Sequence, residues 1–242
     1  MLARDPESHA RTATHLRASG AKERVPVGNT LQDKAVVVVG RGSGIARAVA
    51  LLAQSEGARV IVAGRDQAKL ASVYSGSDIT AEVVDITDDD SIAALTNRVG
   101  VVDHVVSTAS ARARGKLADL DRRNLQLSFD TKVIGPTMLA KYFAPQINLG
   151  GSFVLFSGVH AFKINVGYLG VGITNGAVDF LTRWLAVELA PIRSTPSRQE
   201  LLIRALGTRS ATTVSAITSN TSPPATRHGE SEPPMPTQCC SR

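Results

Sequence analysis

Cysteine is nearly absent: two occur in 242 residues, Cys239 and Cys240, side by side. Adjacent thiols cannot staple two parts of a fold, and two alone do not build a zinc site. Aromatic residues make up only 4% of the chain, which argues against stacking platforms for single-stranded nucleic acid. No run of 18 or more apolar residues occurs, so no segment reads as a bilayer-spanning helix. The first thirty residues lack the apolar stretch of a secretory signal, and Asp5, Glu7 and Glu23 break up their cations against a transit-peptide reading. The expected location is cytoplasmic, with no membrane partner. A concentrated basic region is missing too. The net charge of +6 divides as +2 in each of residues 1–30, 31–193 and 194–242, so no nucleic-acid partner is expected.

What the chain does contain is rhythm. Hydrophobic residues reach 43%, enough to bury a core. Within residues 31–193, short β-branched runs at Ala35–Val39, Arg59–Ala63, Ala81–Val84, Val101–Val106 and Ser152–Phe156 read as strands buried on both faces. Amphipathic stretches separate them at Ile45–Ser55, Gln67–Ser72, Asp89–Arg98, Asp121–Phe143 and Ile173–Leu189. Strand and helix alternating in this way predict an α/β fold, a doubly wound parallel sheet with right-handed crossovers. Residues 1–30 read as a disordered extension. In residues 194–242, Ser, Thr and Pro supply 22 of 49 residues, and this tail is also expected to be disordered.

The first strand runs into a glycine-rich turn and a helix, VVVVGRGSGIARAVA from Val36 to Ala50. Glycines at such a junction let the backbone turn tightly and approach a pyrophosphate, which the first helical turn then meets with free N–H groups and a positive dipole end. A glycine-rich loop alone is weak evidence, but its position between the right strand and helix makes it strong. After the second strand, Arg65 stands where the ribose of a dinucleotide lies, and Arg41 could close on the same group. Two guanidiniums there favour a 2′-phosphate, hence NADP(H) over NAD(H), although Asp66 follows directly.

Residues 31–193 resemble the short-chain dehydrogenase/reductase family, a Rossmann-like fold. The family's glycine turn falls on Gly40, Gly44 and Ala46, with Ala46 replacing the third glycine. The resemblance implies a cofactor site of Gly40, Arg41, Ser43, Gly44 and Ile45, with Arg65, with Asp85 and Ile86 at the adenine, and with Ser107 and Ala109 in the turn after the fourth strand. It also implies a carbonyl or alcohol oxidoreductase acting on a small molecule, and a homo-oligomer formed through the long helices Asp121–Phe143 and Ile173–Leu189.

The family's chemistry uses a Ser, a Tyr, a Lys four residues later and an Asn on the preceding helix. Aligned backwards from the downstream helix, those positions hold Gly158, Val171, Asn175 and Lys132. The usual proton machinery is therefore expected to be lost. Ser157 and Tyr168 lie close by, and with Lys132 they form the candidate set for a rearranged catalysis. A Tyr ordinarily ionises near pH 10 and needs a neighbouring cation to act as a base. His160 reads as a solvated loop histidine. Without turnover, the alternatives are a non-catalytic dinucleotide sensor and a decayed product.

The family continues past Pro191 with a sixth strand reading approximately VNAISPG, whereas this chain reads Arg193-Ser194-Thr195-Pro196-Ser197-Arg198-Gln199-Glu200-Leu201. Codons CGG TCA ACG CCA TCT CGC CAG GAG TTG, read two bases later, give VNAISPGV. Extension through Arg209 gives ADTGAWDA. A one-base deletion near codon 193 is expected, with loss of the sixth and seventh strands and exposure of the fifth as a parallel edge.

Overall fold

The computed structural model describes residues 30–198. The extension before Thr30, the tail after Arg198 and both cysteines lie outside the described residues.

Six parallel strands form one sheet in the order β3-β2-β1-β4-β5-β6. The strands are β1 (Ala35–Val39), β2 (Arg59–Gly64), β3 (Thr80–Val83), β4 (Val102–Ser107), β5 (Ile147–Ser157) and β6 (Arg193–Arg198). Helices α1 (Gly44–Ser55), α2 (Gln67–Val73), α3 (Asp89–Val99), α4 (Arg122–Phe129), α5 (Gly135–Phe143) and α6 (Leu169–Glu188) connect them. This is the doubly wound order, and the chain reverses direction across the sheet between β1 and β4.

Alternating strand residues feed two cores, because successive side chains point to opposite faces. On one face Val37, Val39, Ile61, Val105, Phe153 and Leu155 pack against Ile92 and Leu95 of α3, Leu139 and Phe143 of α5 and Val178 of α6. On the other, Val36, Val38, Val60, Val62 and Val106 pack against Val49, Ala50 and Ala53 of α1 and Leu70 of α2. All five residues of β1 are buried, as the unbroken apolar run requires.

The structure corrects the sequence reading at two places. The first is the edge of the sheet. Arg193–Arg198 pairs in parallel along β5, from Ser152↔Arg193 to Ser157↔Arg198, so β5 is not exposed as an edge and residues 194–198, expected to be disordered, form a strand. A parallel ladder is made by backbone groups, and a strand spelled Arg-Ser-Thr-Pro-Ser-Arg carries no apolar run for a hydropathy reading to detect. Ile192 packs against the core and delivers the chain to β5, and the Arg193 guanidinium donates to the Gly150 carbonyl at 3.0 Å. Among the described residues β6 borders β5 alone, where Pro196 can dispense with its missing N–H.

The second correction is the helix expected over Asp121–Phe143. It is divided into α4 and α5 by a π-helical turn, Asp130–Ile134. Pro136 has no N–H to donate, and its ring crowds the carbonyl four residues earlier, that of Lys132. Widening the turn relieves the crowding. Lys132 thereby sits in the irregular turn, buried.

Candidate functional site

A cleft of about 630 Å³ opens at the C-terminal ends of β1, β2 and β4, at the reversal point where doubly wound sheets bind ligands. Its floor is the turn from β1 into α1. A Cβ on Gly40 would collide with the Thr108 hydroxyl and lie 2.8 Å from the Ala46 methyl, so only glycine fits. Thr108, just past β4, clips the turn in place: its N–H and its hydroxyl both donate to the Val39 carbonyl, at 2.9 and 3.0 Å. Gly44 has the opposite surroundings. Its φ is +55°, and nothing lies within 4 Å of the Cβ position, which leaves open space above the helix end. Ser43 makes no side-chain cap, and no acidic residue stands in the first turn of α1. The first-turn N–H groups and positive dipole end therefore face the cleft without an internal anion.

The cleft wall carries charge. Arg41 and Arg65 both line it. Asp66 does not, because its carboxylate accepts the Lys69 N–H at 2.9 Å and caps α2. Asp85 lines the far wall and accepts the N–H and hydroxyl of Thr87 at 2.9 and 2.7 Å. The Thr87 amide bond, outweighing partial burial, and the charge of Arg65 hold this carboxyl below its ordinary range. It remains an ionised acceptor near neutral pH.

Beside the cleft, between the π-helical turn and α6, lies a buried polar group of residues. Lys132 is 7% exposed, and burial, reinforced by the Arg112 guanidinium and opposed by the Asp179 carboxylate, lowers its ammonium to about 8. Both carboxylate oxygens of Asp179, the amide oxygen of Asn175 and the hydroxyl of Ser110 are buried without a partner. Leaving such groups unsatisfied costs about 1–3 kcal/mol each, a cost proteins retain where a ligand or water completes the bonding. Gly158 is bare beneath Asn175, with its Cβ position 2.7 Å from the amide nitrogen.

With this geometry in place, the comparisons with known proteins are informative. The profile of the family described as Enoyl-(Acyl carrier protein) reductase matches residues 39–195, which is most of the described fold. A short-chain dehydrogenase/reductase, ATR9, of Stachybotrys chlorohalonatus is 30% identical over 68% of this chain and 72% of its own length. The chain belongs to the short-chain dehydrogenase/reductase family. A solved short-chain dehydrogenase/reductase from Mycobacterium ulcerans superposes with a TM-score of 0.65 at 30% identity, covering 69% of this chain and 67% of that one. A small-chain dehydrogenase solved in complex with NADPH superposes at 0.58, also 30% identical, covering 68% and 69%.

For this short-chain dehydrogenase/reductase, nine of the ten residues expected at the cofactor line the one cleft. Gly40, Arg41, Ser43, Gly44 and Ile45 come from the first turn, Arg65 follows β2, Asp85 and Ile86 follow β3, and Ala109 follows β4. Ser107 does not line it: it ends β4 with its hydroxyl buried and unpartnered.

The three candidate catalytic residues are not gathered in the same way. Ser157 is fully buried and donates to the Asn175 carbonyl at 3.0 Å, which ties it to the backbone of α6. Tyr168 precedes α6 with its ring stacked on His160 at 4.0 Å and the Arg114 guanidinium 5.3 Å from its centre. Lys132 instead lies in the π-helical turn within electrostatic range of Asp179, which is eleven residues beyond Tyr168 and about 16 Å up the helix axis. The histidine read as solvated is thus half-buried against Tyr168.

Sequence reasoning missed Thr108, Ser110, Arg112 and Asp179. Thr108 and Ser110 sit among small residues that carry no pattern. Asp179 did leave a signal. It follows Asn175 by one helical turn and sits among the buried positions Val171, Val178, Thr182 and Leu185, so a carboxylate falls on the apolar stripe.

Among the described residues no helix is long and apolar enough to cross a membrane, and no group of His, Cys, Asp and Glu could hold a metal ion.

Proposed function

We propose that the cleft binds NADP(H) in preference to NAD(H), and that the protein is an NADP(H)-binding member of its family descended from a carbonyl or alcohol oxidoreductase of small molecules. The observation that carries the preference is the division of labour after β2. Asp66, the acid that would accept a ribose 2′-hydroxyl, is engaged at the α2 cap, while Arg65 and Arg41 line the cleft and suit a 2′-phosphate. The residues fit the dinucleotide: Gly44 leaves the space, α1 supplies the amides, and Asp85 with the Ile86 backbone borders the adenine end. When bound, the nicotinamide would supply a hydride. A thermal melt with NADPH and NADH tests the reading. NADPH at a hundred times its Kd stabilises by about 2.7 kcal/mol and raises the melting temperature, whereas NADH at the same concentration moves it little. An equal response to both overturns the preference.

The usual proton machinery is read as lost, with Gly158, Val171, Asn175 and Lys132 at the four positions. A rearranged chemistry would rest on Lys132, which is buried in the π-helical turn and whose ammonium is lowered by that burial to about 8, near enough to neutrality to give and take a proton. If Lys132 does so, alone or with Ser157 and Tyr168, Lys132→Ala abolishes NADPH oxidation with a carbonyl panel. Cofactor binding without any turnover in the unaltered protein identifies a sensor instead.

The residues from Arg193 onward are read as a frame-shifted continuation of the gene. The observed β6 falls on Arg193–Arg198, the stretch where the restored reading VNAISP would lie. Sequencing the gene tests this, since codons incompatible with the shifted string end the idea.

A second copy of the chain is the partner proposed for α6. Leu169, Ile173, Phe180, Trp184 and Val187 are exposed along one face of that helix, with the Phe180 and Trp184 rings 6.0 Å apart. Ile134 and Leu127 are exposed beside the π-helical turn.

A further inference from the structure

We propose that Arg112, Arg114 and Lys116, in the segment after β4, bind an anionic group, carboxylate or phosphate, on the substrate, and that Tyr168 positions Arg114 for it. That the anion belongs to a substrate rests on the function proposed above; the anion site itself does not.

The segment is a row of cations on a fixed spine. Alternate residues are held by the body of the fold. The Ala111 N–H donates to the Thr131 hydroxyl at 2.9 Å, and its carbonyl accepts from the Ser128 hydroxyl at 2.8 Å. Ala113 is buried against Gly170 of α6, where a Cβ would lie 2.8 Å from the Ala113 carbonyl oxygen. The Gly115 N–H donates to the Gly167 carbonyl at 3.0 Å, and Gly115 pairs with Tyr168 in a parallel bridge. The residues between them, Arg112, Arg114 and Lys116, are exposed. The Arg114 N–H also donates to the Arg112 carbonyl at 3.1 Å, a three-residue turn that draws the two arginines together. Arg112 lines the cleft, as does Ser110, whose hydroxyl is buried without a partner.

Arg114 is directed by its surroundings. Its guanidinium lies 5.3 Å from the centre of the Tyr168 ring, where the ring face attracts a cation. His160 stacks on the same ring at 4.0 Å, and its Nδ1 donates to the Lys163 carbonyl at 3.1 Å, so the platform is itself held. No ion pair engages Arg114 or Lys116 among the described residues, although Asp119 packs its Cβ 3.4 Å from the Cβ position of Gly115. Like charges fixed side by side repel, and an anion between them offsets the cost. On the cofactor reading, the anions of the dinucleotide are matched elsewhere, by the α1 amides and by Arg41 and Arg65. The cations beyond β4 therefore answer to an anion on a second ligand. Guanidinium forks take carboxylate and phosphate alike, and Arg112 sets that group within the cleft.

Modification of arginine by phenylglyoxal in the full chain, read by peptide mass spectrometry, tests the site. Three ketones serve as probes: acetoacetate carries a carboxylate, dihydroxyacetone phosphate a phosphate, and hydroxyacetone neither. At ten times its Kd, an anionic ketone should slow modification of Arg112 and Arg114 about tenfold by mass action. Hydroxyacetone should not. Protection by acetoacetate, by dihydroxyacetone phosphate or by both tells which anion the site takes. Arg114→Gln should raise the concentration that protects Arg112 about tenfold and leave any protection of Arg41 unaltered. No protection, protection confined to Arg41 and Arg65, or equal protection by hydroxyacetone overturns the anion site.

Tyr168→Leu should raise the protecting concentration about threefold, and Tyr168→Phe, which keeps the ring, should restore it. A Leu variant that matches the unaltered protein, or a Phe variant as weak as the Leu one, overturns the positioning role. NADP⁺ in a parallel arm separates the two readings. If it fails to slow modification of Arg41 and Arg65, the cofactor reading falls, while protection of Arg112 and Arg114 by an anionic ketone leaves the anion site standing.

Discussion

The Asp66 carboxylate accepts the backbone N–H of Lys69 at 2.9 Å and thereby caps α2 instead of lining the cleft. The charge on that wall of the cleft is left to Arg65 and Arg41, and on the proposed cofactor reading these meet the ribose end. Charge-assisted hydrogen bonds contribute about 1.5–3 kcal/mol each. Arg65→Ser should therefore weaken NADPH binding by about ten- to a hundredfold and leave NADH binding almost unchanged, measured by calorimetric titration. Asp66→Ala should cost about 1 kcal/mol of stability through the lost cap without altering the NADPH-to-NADH ratio. A ratio that shifts in Asp66→Ala would place the carboxylate at the ribose after all.

The contact between Gly40 and Thr108 makes the first turn intolerant of a methyl group. Gly40→Ala should destabilise the fold by about 1–3 kcal/mol and weaken dinucleotide binding, because the turn must shift away from Thr108 and Ala46. Thr108→Ala removes the colliding oxygen, so the double variant should recover part of the loss. Chemical denaturation of the two single variants and the double variant measures this coupling. Strict additivity would mean that the two residues do not press on one another.

His104 gives the fold an acid-sensitive element. It is buried in β4 with Nδ1 2.9 Å from the Ser152 hydroxyl, and burial lowers it to about 4, against a partial counter-effect from Asp103. The unfolded chain takes up this proton near 6.5, before the folded chain does. The contribution of neutral His104 is therefore fully present above pH 6.5 and is lost as the pH falls to 4. Over that window it amounts to about 3 kcal/mol. Denaturation in urea between pH 7 and 4 should show the decline in the unaltered protein and a flatter profile in His104→Gln. Parallel profiles would rule out His104 as its source.

The exposed face of α6 predicts an oligomer. Trp184→Glu and Phe180→Glu should each turn an associating protein into a monomer in light scattering, and their cofactor response in the melt should persist. Monomeric behaviour of the unaltered protein at high concentration would leave the aromatic face without the partner proposed for it.

The fold was legible in this sequence because a strand buried on both faces must be almost continuously apolar, and Val36–Val39 and Val60–Ala63 satisfy that local demand. The first turn was legible for a similar reason: Gly40 and Gly44 answer backbone constraints that act over a few residues. Tertiary structure decided what depends on partners distant in the chain. Whether Asp66 faces a ribose or a helix end depended on which hydrogen bond the folded loop made available. The pairing of Arg193–Arg198 along β5 rests on backbone groups that every residue type shares, so composition could not announce it. That Lys132 and Asp179 lie close enough to influence each other electrostatically depended on the π-helical turn and α6 packing together. Their 47-residue separation in sequence carries no local signature, because the burial that perturbs the lysine exists only once the two elements have closed.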